Sequence, residues 1–188
     1  MQVEEVATCV NVYRGAIEPY EFMNYVSREA GNQWSEIQWS ASAVGVGSVS
    51  SYRTSSEANI SHLERSQSAL AQLFAPISSR ILDDVLLDYK NEHLVATSGY
   101  EGWRLLRYSG GAEYHSHYDH APQNQRIISV VAFLESPTEG GHLEFPFFNV
   151  KIEPVAGDVV VFPSNFPYVH IAHPVTAGIK CSLVTWLQ

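Results

Sequence analysis

Apolar side chains recur along this chain with two periods, and the change from one to the other falls near Trp103. Before it, Ile60, Leu63, Leu70, Leu73 and Phe74 stand at helical spacing, and after Pro76 the residues Ile77, Ile81, Val85 and Leu86 repeat it as far as about Leu94. Nearer the start, Val6 to Tyr13 predicts a short strand. Glu18-Pro19 opens a helix predicted over Tyr20 to Ala30, with Gly31 just past its end. Ile37 to Val49 predicts an extended segment interrupted by Gly45 and Gly47, and the polar, Ser-rich run Ser50 to Asn59 predicts a loop. From Trp103 onward the period is two. Segments 102–108, 112–119, 126–135, 142–146, 149–153, 157–163, 167–172 and 179–187 are short, β-branched or aromatic, and bounded by Gly, Pro, Asn or Ser. So many short strands predict a sandwich or jelly roll, with the helices packed on the outside of a sheet, an α+β fold.

Composition narrows this picture without changing it. A length of 188 residues suits one well-buried domain, 1–188, with 1–100 as mixed helical support and 101–188 as the β core. Hydrophobic content of 45% with 16% charged residues excludes a disordered chain. Lys+Arg total 11 against 20 Asp+Glu, a net charge of −9, which disfavours duplex nucleic acid as a partner. Cys9 and Cys181 match no zinc spacing and are expected to be small buried apolar residues rather than a disulfide. Met1-Gln2-Val3-Glu4-Glu5 carries no basic, then apolar, leader and no apolar run reaches bilayer length, so the expectation is a soluble cytoplasmic protein without a membrane partner.

The candidate chemistry lies in Tyr108 to Asp119, which ends in His117-Tyr118-Asp119, and in His170 to His173 farther on. Side chains two apart on a strand share a face, so His117 and Asp119 can bind one metal, and His115 with His117 can do the same. Two imidazoles and a carboxylate are the ligand set of non-haem Fe(II) oxygenases, whereas three imidazoles would make a cupin-like site. Local geometry leaves both open, beside the plainer reading of solvated polar residues at a strand end. His120 falls on the opposite face.

The order of motifs resembles the 2-oxoglutarate/Fe(II) oxygenases, and among them the prolyl 4-hydroxylases. Tyr108 to Asp119, with Gly110-Gly111 at its turn, is similar to the family's iron-binding segment. Gly140-Gly141-His142-Leu143-Glu144-Phe145-Pro146 resembles its Gly-Gly-Glu-x-x-Phe-Pro turn, and Pro154 to Phe162 its Pro-x-x-Gly-Asp strand entry. His170 to Trp186 is similar to its closing His…Pro-Val…Gly-x-Lys-x-Ser…Trp segment. The resemblance covers about residues 100–188. It implies a double-stranded β-helix, a jelly roll of cupin type, with His117, Asp119 and His170 as metal ligands and His173 as an outward or loop residue.

The same resemblance implies Fe(II), 2-oxoglutarate and O₂ as cofactors, with ascorbate as a candidate accessory, and oxidative decarboxylation to succinate and CO₂. Lys180, ten residues after His170, is the implied anchor of the distal carboxylate, since a carboxylate buried without a partner is costly. Ser182 adds a hydroxyl, and Tyr108 and Trp186 complete the 2-oxoglutarate contacts; Tyr114 is expected in the barrel wall. Lys180, Ser182, Val184 and Trp186 share one strand face and Cys181, Leu183, Thr185 and Leu187 the other. The chain departs from the family at His142-Leu143, where relatives carry a Thr facing 2-oxoglutarate; Leu143 is expected as an apolar wall. Arg53-Thr54-Ser55 looks like the Arg-Thr-Ser loop bordering the peptide groove of prolyl 4-hydroxylases. With Arg126, Arg53 and Ser55 are therefore the candidate contacts to a proline-containing peptide. A free amino acid or another small molecule is the alternative substrate, and a metal-binding module without turnover is the third reading.

Overall fold

The period-two segments pair into two facing antiparallel sheets. The computed structural model describes residues 2–29, 32, 35–44, 48–49 and 51–188. In spatial order the larger sheet contains Gln2–Ala7, Val10–Arg14, Val159–Pro163, Ile128–Glu135, Ile179–Leu187, Arg104–Ser109, Ser56–Asn59 and Ser40–Ala41. The smaller sheet contains Val150–Ile152, Leu143–Phe145, His170–Ala172 and Tyr114–His117. Each of the eight segments expected after Trp103 holds a strand, and the architecture is the expected double-stranded β-helix with supporting helices.

Alternation assigns the two faces of the larger sheet. Ile128, Val130, Ala132 and Leu134 pack with Cys181, Leu183 and Leu187 against the helices, in one core with Phe22, Phe74, Ile81 and Trp103. Phe133, Val160 and Phe162 point the other way, onto Leu143 and Phe145 of the smaller sheet. Val184 and Trp186 join Leu106, Tyr108 and Val175 in a third apolar group. The strand face carrying Lys180 and Ser182 therefore looks into the space between the sheets, as their spacing with Val184 and Trp186 requires.

Four local expectations need correction. Val6 to Tyr13 is not one strand but a hairpin, because Cys9 takes a left-handed φ of 56° and the Glu5 carboxylate accepts its N–H. Ser50 to Asn59 is not all loop: Ser56–Asn59 pairs with Arg104–Ser109 and buries Ala58. The helix expected from Ile60 is a 3₁₀ turn, Ser61–Arg65, and a new helix starts at Ala69, where the Ser68 hydroxyl accepts the Ala71 N–H. Pro76 does not end that helix; it lies inside Ala69–Ser79, which widens into a π segment at Arg80–Val85 and continues through Leu86–His93. A proline removes one backbone donor, and here burial of Leu70, Phe74 and Ile77 on one face outweighs that loss.

The first helix spans Tyr20–Arg28; its expected end at Ala30-Gly31, like Gly45 and Gly47, lies outside the described residues. Cys181 is buried, with its thiol pushed up to about 12 by burial and then Glu135, but Cys9 is only half-buried, and both are free. No helix among the described residues is long and apolar enough to cross a membrane.

Candidate metal centre

A cavity of about 560 Å³ opens between the sheets. Tyr108, His117, Asp119, His170, Lys180, Ser182 and Trp186 line it, together with Arg53 and Arg126. Of the residues singled out from sequence, Ser55 alone does not reach it; it is buried, its hydroxyl paired with Ser42 at 2.8 Å.

His117 and His170 face each other across the antiparallel pair Tyr114–His117 and His170–Ala172. The register puts them directly opposite, with ring centroids 4.2 Å apart. Asp119 arrives differently from expectation. The strand ends at His117, so the pleat does not set the Asp119 side chain. Its N–H is accepted by the Ser164 carbonyl, its carboxylate accepts from the Ser129 hydroxyl at 2.7 Å, and Ser129 in turn meets the Ser164 hydroxyl at 2.8 Å. The carboxylate oxygens stand 3.7 Å from Nε2 of both His117 and His170. Adjacent ligands about 2.1 Å from one ion at right angles are about 3 Å apart, so a small inward shift would bring all three onto one cation. Their backbone carbonyl partners, His115 for His117 Nδ1 and Tyr168 for His170 Nδ1, leave both Nε2 atoms turned to the shared point.

Electrostatics favours the protonation states that metal ligands need. Burial, and then His170, hold the His117 imidazole far below its ordinary value, so it is neutral. Burial alone would raise the Asp119 carboxyl; His170, His117 and hydrogen bonds from Ser129 and Trp186 outweigh it and hold it ionised. Trp186 thus donates to Asp119, a contact not foreseen in the sequence. His115 stays outside the cluster, 3.2 Å from Glu113 and half exposed, and His120 bonds the Arg126 carbonyl instead. Tyr114 stacks on the His117 ring at 3.5 Å, as a wall residue should.

Across the cavity lies Lys180, 2% exposed. Its ammonium donates to the Gly141 carbonyl at 2.7 Å and sits 4.3 Å from the Tyr108 ring centre. Among the described residues no acidic side chain pairs with it, and burial pulls its pKa down to about 7. A buried cation without a counter-ion fits an anionic ligand, and a three-donor cluster with a turned-in carboxylate fits a divalent metal. Leu143 lines the cavity as the apolar wall expected of it.

Arg126 lines the cavity and is also tied within the chain. Its guanidinium makes two bonds to the Glu101 carboxylate, at 2.7 and 2.6 Å, and lies 3.7 Å over the Trp186 ring. Two of its N–H donors are therefore committed within the chain. Arg53 reaches the cavity over the Tyr114 ring, but is buried, held by the Ala43 carbonyl and Glu57. Sequence reasoning missed Glu101, Ser129 and Ser164. Ser129 alone left a signal, a lone hydroxyl within the apolar run 127–134.

Comparison with known proteins agrees with this geometry. Residues 103–188 match the family model described as the 2OG-Fe(II) oxygenase superfamily. The chain is 31% identical over 118 residues to prolyl 4-hydroxylase 13 of Arabidopsis thaliana, covering 47% of this chain and 43% of that protein. It is 35% identical over 96 residues to a PKHD-type hydroxylase of Stenotrophomonas maltophilia, covering 45% and 42%. The chain thus spans less than half the length of these curated relatives. Among solved structures, a Pseudomonas putida prolyl-4-hydroxylase superposes with a TM-score of 0.68 at 20% identity, covering 96% of this chain and 92% of that one. A Trichoplax adhaerens prolyl hydroxylase, solved with a hypoxia inducible factor peptide fragment, superposes with a TM-score of 0.74 at 18% identity, covering 95% and 83%. These two show the fold.

Proposed function

We propose, on the premise that residues 103–188 are of the 2OG-Fe(II) oxygenase superfamily, that the cavity holds Fe(II) on His117, Asp119 and His170 and binds 2-oxoglutarate against Lys180. The product reaction is hydroxylation of a peptidyl proline in the manner of the prolyl 4-hydroxylases. The observation that carries this reading is the buried, carboxylate-free ammonium of Lys180 in the same cavity as the three-donor cluster. When bound, iron and its keto-acid co-substrate supply the activation of O₂ and the oxidative release of succinate and CO₂.

The chain's own residues bind, orient and exclude water. Lys180 neutralises the distal carboxylate as a point charge, and the Ser182 and Tyr108 hydroxyls lie on the same cavity wall. Trp186 and Ser129 keep the Asp119 carboxylate turned inward and ionised. Leu106, Val131, Phe133, Leu143 and Val184 complete an apolar lining that keeps bulk water from the reacting centre. Arg126, braced by Glu101 and lying over the Trp186 ring, borders the cavity as a candidate substrate contact. Arg53 borders the mouth over Tyr114 and near the exposed Tyr118, whose aromatic face suits a proline ring. The whole chain acts as one domain in this reading, with the N-terminal strands completing the larger sheet.

The test is succinate formation with Fe(II), 2-oxoglutarate and proline-rich peptides, with and without ascorbate as the proposed accessory reductant, beside an arm with free proline. Peptide-dependent succinate with one added oxygen on the peptide is expected. Turnover with free proline and none with any peptide would sink the peptidyl reading and leave the small-molecule one. Removing the hydroxyl that positions Asp119 has a predicted cost as well. Ser129→Ala is expected to weaken metal binding about 10- to 100-fold, the usual effect of losing a hydrogen bond to a ligand, as read by anaerobic Fe(II) titration. Unchanged affinity would mean that Ser129 does not orient the carboxylate.

A further inference from the structure

The smaller sheet carries a second cluster on the face turned away from the cavity. Leu143 pairs with Ala172 and Glu144 with Ile171. That register sets His142 opposite His173, whose N–H is accepted by the His142 carbonyl at 3.0 Å. Leu143 and Phe145 point inward to the core, so His142 and Glu144 point outward, on the side to which Ile171 and His173 also turn. Three donors from two adjacent strands therefore meet outside the barrel. The His142 and His173 rings stack at 4.0 Å, and His173 Nε2 lies 2.5 Å from a Glu144 carboxylate oxygen. One donor atom from each of the three lies within 4.8 Å of the others. His142 Nε2 is buried and has no hydrogen-bond partner.

From this arrangement we propose that His142, Glu144 and His173 form a second metal site, for Zn(II) or another late divalent transition ion, separate from the cavity. Two imidazoles and one carboxylate are a recurrent Zn(II) set, with a water completing the tetrahedron on the exposed side. An ion there gives the orphaned His142 Nε2 its missing partner, since a buried polar atom left unpaired is costly. The His173–Glu144 contact, 2.5 Å, must open by about 0.8 Å to let the ion in, because co-ligands about 2.0 Å from zinc sit about 3.3 Å apart. Lys151, 3.7 Å from the same carboxylate and largely exposed, competes for it and must swing away. Glu153 is the remaining acidic neighbour of His142. The ion would tie the Gly140-Gly141 turn segment to the strand that carries His170, stapling the cavity's distal ligand from outside.

The test is metal stoichiometry on untagged, chelator-stripped full chain, titrated with Zn(II) alone at micromolar protein and checked for fold by circular dichroism. Two equivalents are expected for the wild type, one for His142→Ala and for His173→Gln, and one for Asp119→Ala. A wild type that binds one equivalent overturns the proposal, as does equal stoichiometry with and without His142. Lys151→Ala should tighten the equivalent that survives in the Asp119→Ala background several-fold, an effect a purely structural His173–Glu144 pair would not give. In that same background Zn(II) should raise Tm by several degrees, and His142→Ala should abolish the rise. Loss of both equivalents in a folded Asp119→Ala chain would place all zinc in the cavity and refute the second site.

Discussion

Asp119→Ala is expected to abolish turnover and to weaken metal binding by far more than the roughly 100-fold that marks loss of a supporting hydrogen bond. Three donors line the centre and only one of them carries charge. Without it, two neutral imidazoles must hold a dication in a cavity that buries His170 to 5% exposure, with no anion to offset the ion's desolvation. Asp119→Asn tests charge apart from shape, because the amide fills the same space and can still accept from Ser129 and Trp186. It should retain the fold and lose nearly as much affinity as the alanine variant. The control is His115→Ala, which removes a half-exposed ring paired with Glu113 and should leave affinity within a factor of about 2, as a surface change does. Anaerobic Fe(II) titration decides the matter. If His115→Ala lost the metal while Asp119→Ala kept it, the centre would be a three-imidazole site.

The two periods of the sequence made the sheet legible because alternation is a local property of the chain. Each of the eight segments that period two predicts holds a strand, with short strands at Glu139–Gly140 and Val175–Ala177 added between them, and the face assignment of Lys180 against Cys181 followed from parity alone. Features set by distant contacts were not legible in that way. Asp119 shares a point with His117 because Ser129, on another strand, and Ser164, just past the end of Val159–Pro163, hold it beyond the strand end. Nothing within the segment 112–119 encodes that. Arg126 lines the cavity, and its partner Glu101 lies 25 residues back in sequence, so only the fold brings the two carboxylate bonds about. Pro76 reads as a helix end to any local rule, yet tertiary burial carries the helix through it. His173 was set aside as an outward residue, and outward it is; what the sequence did not reveal was that the outer face has donors of its own in His142 and Glu144.

Lys180 gives the second large effect, and it runs in opposite directions for binding and for stability. Lys180→Ala should raise the 2-oxoglutarate KM on the order of 10²-fold or more, since removing one partner of a buried ion pair costs roughly 3–5 kcal/mol. Iron affinity should change little, because Lys180 belongs to the larger sheet and none of the three donors bonds to it. Equal effects on both would argue against the anchor role. In the ligand-free chain the same ammonium is a liability. Its pKa of about 7 lies below the ordinary lysine value because burial penalises the charge. Between about pH 7 and pH 10 the unfolded chain binds the proton and the folded chain releases it, so this group makes stability rise with pH across that window. Below about pH 7 the folded protein carries the full penalty. Lys180→Met, which keeps the aliphatic length and removes the charge, should therefore raise Tm by several degrees at pH 6 and by less at pH 9. An anionic ligand reverses the account by supplying the missing counter-charge. The thermal shift produced by 2-oxoglutarate with a redox-inert divalent metal should be largest near pH 6 and shrink as pH rises past 7, and Lys180→Met should remove that pH dependence. A shift that stayed flat from pH 6 to pH 9 in the wild type would mean that the carboxylate is neutralised elsewhere in the cavity.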